Sequence, residues 1–368
     1  MQNLVARALS STAAAAALLL VAAGGTAQTP VAAPAASEQT VADHVAAATR
    51  LAGDDLRGLM VLCKPAPATR PSVTNAGIAQ QIARPAPPPG RAFDNLAYVG
   101  ARWVSAWALQ TSEGTILLDA LDNAAEAKTL IEGGMTQLGL DPARIKTIVV
   151  SHAHGDHYGG APYLIERYHA RVVMSQADWQ MSETALEFAL PLWGDPPKRG
   201  PGDRAVNDGD TYTLGDTTLT FYLTAGHTLG TLTTVFDVKS RPQADDMRRP
   251  PPEGVSQPGG GPALTQSSGA THRAMLWGGT AFNFGRDILR MEHYIASTAR
   301  MAQVAQAQGI SVLLSNHPDY DGTVLKLPAA QSASGANPFV IGTPAVVRAL
   351  TVMGECAQAQ RDRYVLMP

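Results

Sequence analysis

Cysteine is almost missing: Cys63 and Cys356 are the only two among 368 residues. A disulfide between them would close a very long loop and is chemically possible in an exported chain, while two unpaired thiols are an equally open reading, because sequence does not measure their separation. Positive charge is scarce as well. With 28 Lys plus Arg against 31 Asp plus Glu, the chain lacks the basic surface that phosphate binding draws on, which argues against nucleic acid as a partner and against a polybasic membrane anchor. No stretch beyond the N-terminal leader approaches the about 20 consecutive apolar residues of a membrane-spanning helix. What remains is a chain with 45% apolar residues, long enough to bury a full core as one large or two modest domains. A small neutral or anionic molecule suits its charge.

The leader has its own signature. Arg7 precedes the uninterrupted apolar run Ala13–Ala23, and small residues follow at Gly24-Gly25-Thr26-Ala27. A secretory apolar segment runs ~7–15 residues, so residues 1–27 are expected to be a cleaved signal peptide and the mature protein to be soluble, periplasmic or secreted. Residues 28–90 read as an extension. Ala33–Ala52, with Glu38, Asp43, His44 and Arg50, has the makings of a helix packed outside the core, and Lys64–Gly90, closed by Pro85, Pro87, Pro88 and Pro89, is expected to be an extended linker rather than a packed element.

Regular structure is expected over residues 91–368. Leu96–Gly100, Val104–Gln110 and Thr115–Asp119 have strand character, Ala124–Leu138 has helical periodicity, and the apolar strand Ile145–Val150 is followed by a helix near Pro162 and a strand at Arg171–Met174. A meander follows at Thr211–Leu214, Thr217–Thr224 and Leu232–Val238. Residues 239–272 are Pro-, Gly- and Ser-rich without periodicity and read as a mobile insertion between two core strands. Ala274–Trp277, a helix at Asp287–Gln308 stopped by Gly309, the strand Val312–Leu314 and a helix at Pro344–Arg361 complete the chain. Two successive blocks of strands and helices predict an α/β architecture of two face-to-face sheets with helices outside.

Three clusters of ionisable residues stand at strand ends: His152-x-His154-x-Asp156-His157, Gly226-His227 and Asn316-His317. In an extended segment alternate side chains point the same way, so His152 and His154 can grip one ion, while Asp156 and His157, past the turn, can grip a second. His227 and His317 then arrive from distant strands. Imidazole and carboxylate are ligands that zinc accepts where thiolate is absent. Four ionisable groups within six residues, directly after a buried strand, would be costly to desolvate without a metal. His44, His169, His272 and His293 stand alone and are expected to be core or surface residues.

The segment His152-Ala153-His154-Gly155-Asp156-His157 resembles the His-x-His-x-Asp-His signature of the metallo-β-lactamase superfamily, as do Phe93-Asp94-Asn95-Leu96, Asp208-Gly209-Asp210-Thr211 and Ala225-Gly226-His227-Thr228. The resemblance implies a four-layer αβ/βα sandwich with metals at the mouth between two sheets. Within the superfamily the chain looks most similar to class B, subclass 3, the zinc β-lactamases. Relatives place a bridging Asp or a Cys ligand at the position of Thr280, which serves as neither. That implies two zinc ions, the first held by His152, His154 and His227, the second by Asp156, His157 and His317. The implied reaction is opening of a β-lactam ring by a metal-bridging hydroxide, with Asp156 as both ligand and orienter of the nucleophile; two cations lower the pKa of water from about 15.7 toward ~7. Asp119 is read either as an acceptor for a ligand histidine's N–H or as a turn residue.

This sequence departs from that subclass around the substrate. Serines usual after the deciding strand are replaced by Thr280-Ala281-Phe282-Asn283, and a Ser-Trp pair usual after His227 is replaced by Leu229-Gly230-Thr231. Another cyclic amide, a lactone or an ester is therefore the alternative substrate. Tyr158, Trp193, Thr280, Phe282, Asn283 and Tyr320 are the candidates for the pocket. A monomer acting on a small molecule is expected.

Overall fold

The strands of this chain, most of them buried on both faces, form two sheets. In the first, β1 (Gly90–Phe93), β2 (Leu96–Tyr98), β3 (Trp107–Thr111), β4 (Gly114–Leu118), β5 (Ile145–Val149), β6 (Arg171–Ser175) and β7 (Arg204–Val206) lie side by side in chain order. Pairing is antiparallel from β1 to β4 and parallel from β4 to β7. The second sheet holds β8 (Thr211–Leu214), β9 (Thr217–Leu223), β10 (Leu232–Lys239), β11 (Thr271–Trp277) and β12 (Ile310–Ser315), in the order β12-β11-β10-β9-β8, with only β11 and β12 parallel. The computed structural model describes residues 35–240, 269–332 and 336–368. The expected signal peptide and most of the 239–272 insertion lie outside the described residues.

Alternate residues of each strand face opposite layers. Trp107, Leu109, Ile116 and Leu118 from the first sheet meet Leu219, Phe221, Phe236, Leu276 and Leu314 from the second in a central apolar layer. The opposite face of the first sheet, with Leu117, Ile148 and Val172, packs on Ile131 and Met135 and on Leu164 of the helix Ala161–Tyr168. The outer face of the second, with Met275, Trp277 and Leu313, packs on Met291, Tyr294 and Met301 of the helix Ile288–Gln308 and on the helix Thr343–Leu366. Helix, sheet, sheet, helix is the four-layer αβ/βα sandwich expected. Parallel pairing needs crossovers, so the chain returns through helices and the carboxyl ends of β4, β5 and β6 come out on one edge, where ligands of α/β sheets gather.

Several local expectations are revised. The Ala124–Leu138 helix is composite, with π-helical Ala127–Glu132 between α-helical Ala124–Glu126 and Gly133–Gln137. The strand expected from Val104 begins at Trp107. The proline-rich stretch is no bare linker: between its prolines Thr74 caps a helix at Asn75–Ile82, and Ile78 is buried against Phe188 and Trp193. Upstream, the helix Glu38–Ala52 is fixed by a capping box from Ser37 and Thr40 and packs on the C-terminal helix, burying Ala48 and Ala52. Cys63 and Cys356 are disulfide-bonded across a sequence separation of 293. Residues Ala36–Pro368 form one compact unit, and no helix among the described residues is long and apolar enough to cross a membrane.

Candidate metal centre

The turn after β5 is built around Asp119, which follows β4 in the left-handed region at φ 62°. Few residues other than glycine adopt that conformation, Asp and Asn among them. There the carboxylate accepts from Ser151 N at 2.7 Å and Ser151 Oγ at 2.8 Å, and from His157 Nδ1 at 2.8 Å. A second buried carboxylate, Asp178, accepts from Ala153 N at 2.9 Å, Thr228 Oγ1 at 2.9 Å and Gly230 N at 3.1 Å, tying this turn to the loop that carries His227. Burial raises Asp178 to about 6 despite those bonds. Two glycines admit the close packing. A Cβ at Gly155 would stand 2.5 Å from the Trp193 ring, and one at Gly279 would stand 2.6 Å from His227 Cβ.

The outer nitrogens of three imidazoles then fix the direction of the inner ones. His152 Nδ1 donates to Gly278 O at 2.8 Å, His227 Nδ1 to Ala281 O at 2.7 Å, and His154 Nε2 to Glu187 Oε2 at 3.1 Å. Carbonyls and carboxylates only accept, so each ring carries its proton on that outer nitrogen and a lone pair on the other. Those lone pairs converge: His152 Nε2 is 3.0 Å from His154 Nδ1 and 3.0 Å from His227 Nε2, and His227 Nε2 is 3.2 Å from His154 Nδ1. Three lone pairs repel unless a cation sits among them. Zinc–nitrogen bonds of about 2.0–2.1 Å in a tetrahedron separate the nitrogens by roughly 3.3 Å, close to these distances. Burial, reinforced by the neighbouring imidazoles, lowers His152 and His227 well below the usual imidazole range, so both are neutral, the form that coordinates.

A second cluster sits beside the first. His157 Nδ1 donates to Asp119 and His317 Nδ1 to Trp103 O at 2.6 Å, which turns both Nε2 atoms toward Asp156 Oδ2, at 3.3 and 3.7 Å. His157 Nε2 is buried and has no hydrogen-bond partner among the described residues. At His157 burial disfavours charge, yet Asp156 and Asp119 outweigh it and lift the group to about 10. Burial likewise works against charge on Asp156, but His157 and His317 hold it far below the usual carboxylate range. Two carboxylates thus call for a positive charge at that nitrogen, either a proton or a metal ion. The orphaned Nε2, the anionic Asp156 and the second imidazole fit a divalent cation. In each cluster the donor atoms lie within 4.8 Å of one another.

A cavity of about 550 Å³ opens over both clusters, within the size range of small-molecule sites. Trp103, Phe188, Trp193 and Tyr320 give it an aromatic wall, and Gly58, Val61, Ile78 and Arg84 bring the N-terminal segment into it. Asp122 braces the wall by accepting the indole N–H of Trp103 at 3.1 Å and of Trp193 at 2.7 Å. Burial first, then Glu126 and Asp156, raise Asp122 to about 9. Of the expected pocket residues, Trp193, Asn283 and Tyr320 line this cavity, whereas Tyr158, Thr280 and Phe282 are not among its lining residues. Tyr158 is packed into the core beneath the first sheet, Phe282 packs edge-on against Tyr294 at 4.9 Å, and the Thr280 hydroxyl is turned to Ser315 Oγ at 3.2 Å. The solitary histidines stand apart: His44 pairs with Glu355, His169 ends a helix at φ 56°, His272 packs near Phe93, and His293 is exposed.

Sequence reasoning missed Asp178, Glu187, Arg290, Trp103, Asp122 and the N-terminal part of the wall. Only Arg290 left a trace, as a charge on the same helical face as Tyr294, Ser297 and Met301, all buried. An arginine in such a row requires an internal partner.

Comparison with known proteins agrees with this geometry. The family model of the metallo-beta-lactamase superfamily matches residues 99–239. BJP-1, a subclass B3 metallo-β-lactamase of Bradyrhizobium japonicum, is similar with 26% identity and a TM-score of 0.56, over 74% of this chain and 92% of its own. A Cronobacter sakazakii metallo-β-lactamase with a HARLDQ motif is similar with 25% identity and a TM-score of 0.60, over 83% of this chain and 98% of its own. FEZ-1 from Legionella gormanii, at 21% identity and a TM-score of 0.53 over 76% of this chain and 96% of its own, shares the fold. Residues 99–239 thus match a metallo-β-lactamase domain, and the two-sheet sandwich, with two clusters of potential metal ligands at the carboxyl ends of its strands, has the metallo-β-lactamase fold.

Proposed function

We propose that this protein is an exported dinuclear zinc hydrolase that opens the β-lactam ring of antibiotics. The observation that carries the reading is the pair of adjacent three-ligand clusters, each with imidazole lone pairs aimed inward by fixed acceptors, at the base of one cavity. His152, His154 and His227 would hold the first ion, and Asp156, His157 and His317 the second. Bound there, the ions supply electrophilic polarisation of a carbonyl and an acidified water. The chain's own residues do the rest. The ionised Asp156 is positioned to accept a proton from the attacking nucleophile, Trp103, Phe188 and Trp193 shield the reacting bond from bulk water, and Arg84 offers a cation to an acidic substrate. Arg84 is the one Lys or Arg among the lining residues and is 3.7 Å from Asp319. The disulfide supports an oxidising location outside the cytoplasm.

A second reading has its own support. Thr280, where the resemblance would look for a substrate-binding hydroxyl, is buried with that hydroxyl on Ser315. A lactone, an ester or another cyclic amide is therefore the alternative substrate for the same centre. Nitrocefin turnover with and without chelator, alongside zinc analysis, separates the two. Chelator-sensitive turnover is expected; two bound zinc ions with no hydrolysis of any β-lactam class would refute the first reading in favour of the second.

A further inference from the structure

Glu187 lies in the irregular segment between the helix Gln176–Thr184 and β7, and its side chain is 15% exposed. Its Oε2 accepts from His154 Nε2 at 3.1 Å, while Oε1 pairs with Arg290. Arg290 reaches on to the other ligand loop: its Nε donates to Gly226 O at 3.0 Å, its Nη2 to His227 O, and its guanidinium lies 4.2 Å from the Phe284 ring centroid. From the N-terminal segment, Arg70 Nη1 donates to Glu187 O at 3.1 Å. Phe188, the next residue, lines the cavity and sets its ring 5.0 Å from that of His154.

The three imidazoles of the first cluster are therefore not held alike. His152 and His227 rest on backbone carbonyls, Gly278 O and Ala281 O, which belong to the chain after β11. His154 alone rests on a charged side chain, and that side chain belongs to the segment that walls the cavity. A carboxylate acceptor fixes the tautomer and raises the basicity of the coordinating nitrogen more than a carbonyl does. We propose that Glu187 is a positioning residue for the first metal position: it holds His154 with Nδ1 facing the ion and makes the affinity for that ion depend on the seating of the cavity wall. The dependence runs both ways, because a coupling free energy between two sites is reciprocal. Metal at the first position favours the seated wall, and a ligand pressing Phe188 and Trp193 into place tightens the metal.

This rests on the dinuclear zinc reading, and the test separates the two. Full-length wild type, Glu187→Ala and Glu187→Gln, stripped of metal, are titrated with zinc against a chromophoric chelator and with cobalt(II), whose visible spectrum reports ligand geometry. Glu187→Ala is expected to bind one ion about 10–100-fold more weakly and to leave the other unchanged. Glu187→Gln, whose amide oxygen still accepts the Nε2 proton, should recover part of that loss. Arg70→Ala, which removes the bond to Glu187 O and the 3.6 Å pairing with Glu187 Oε1 while leaving the carboxylate in place, should weaken the same ion to a smaller extent. Wild-type affinity at both positions in Glu187→Ala overturns the assignment. So does a Glu187→Gln that binds no better than Glu187→Ala, since that marks the residue as a brace for the segment only. A wild type that takes up no zinc or cobalt overturns the dinuclear reading itself, and this inference with it.

Discussion

Replacing Asp119 by Asn isolates what one carboxylate does beside the second cluster. Asp119 sits at φ 62°, which Asn also tolerates, so the backbone is spared and the change is confined to one oxygen becoming an NH2. The carboxylate accepts three hydrogens, two from Ser151 and one from His157. An amide has one acceptor atom to offer. If its oxygen faces His157, the buried Ser151 N–H meets a donor; if the amide flips, His157 must move its proton to Nε2, the atom that would coordinate. The first arrangement leaves a buried donor unsatisfied, which costs about 1–3 kcal/mol of stability. The second weakens the second ion by about 10–100-fold, equivalent to roughly 1.4–2.8 kcal/mol. The two costs are similar, so the variant is expected to show both in part: a lower melting temperature without metal and weaker binding of one zinc out of two. Calorimetric zinc titration and apo-protein melting measure them. Asp119→Asn with wild-type apo stability and two unchanged zinc affinities would refute the hydrogen-bond argument.

His157→Ala should lose one zinc and most hydrolysis, and metal analysis that still finds two ions would remove it from the ligand set. Arg84→Ala is expected to raise KM severalfold for an anionic β-lactam and to leave kcat nearly unchanged; equal KM values for charged and uncharged substrates in both proteins would count against its role. The disulfide closes a loop spanning a sequence separation of 293, for which the chain-entropy argument allows stabilisation of up to about 5 kcal/mol. Cys63→Ser with Cys356→Ser should unfold at markedly lower urea, and an unchanged midpoint would contradict this. Asp122 gives a pH prediction. Burial first, then Glu126 and Asp156, raise it from 3.8 to about 9, so between those values the folded state holds a proton that the unfolded chain has released, and stability falls as pH rises across that window. Glu126→Gln, which removes one of the repelling charges, should flatten the fall, as followed by melting temperature between pH 5 and 9.

The sequence pointed to the candidate ligands because their chemistry is written locally. A buried apolar strand that runs straight into four ionisable residues leaves few explanations, and His227 and His317 likewise follow strands. The two sheets were legible for a related reason, since alternation and apolar runs mark strands wherever they pair. What supports the ligands was not legible. Glu187 meets His154 across 33 positions and Arg290 across 103, and nothing near Glu187 in the chain signals either partner. The helix at Asn75–Ile82 was hidden by its flanking prolines, although the eight residues themselves contain none. Between Ala127 and Glu132 the wider turn of a π-helix defeats a 3.6-residue period. The burial of Tyr158 and Phe282 is set by which side of the layer each ring enters, and that is decided by packing between distant elements.

Each cluster takes two ligands from the turn after β5 and a third from the other half of the sandwich, His227 after β9 or His317 after β12. Neither half alone completes either cluster. On the proposed metal reading, loading would be a late event in the life of the chain, gated by the closing of the two halves on each other. Uptake kinetics should then track that closure rather than diffusion, so that a bound ion would inspect a finished fold as well as work in it.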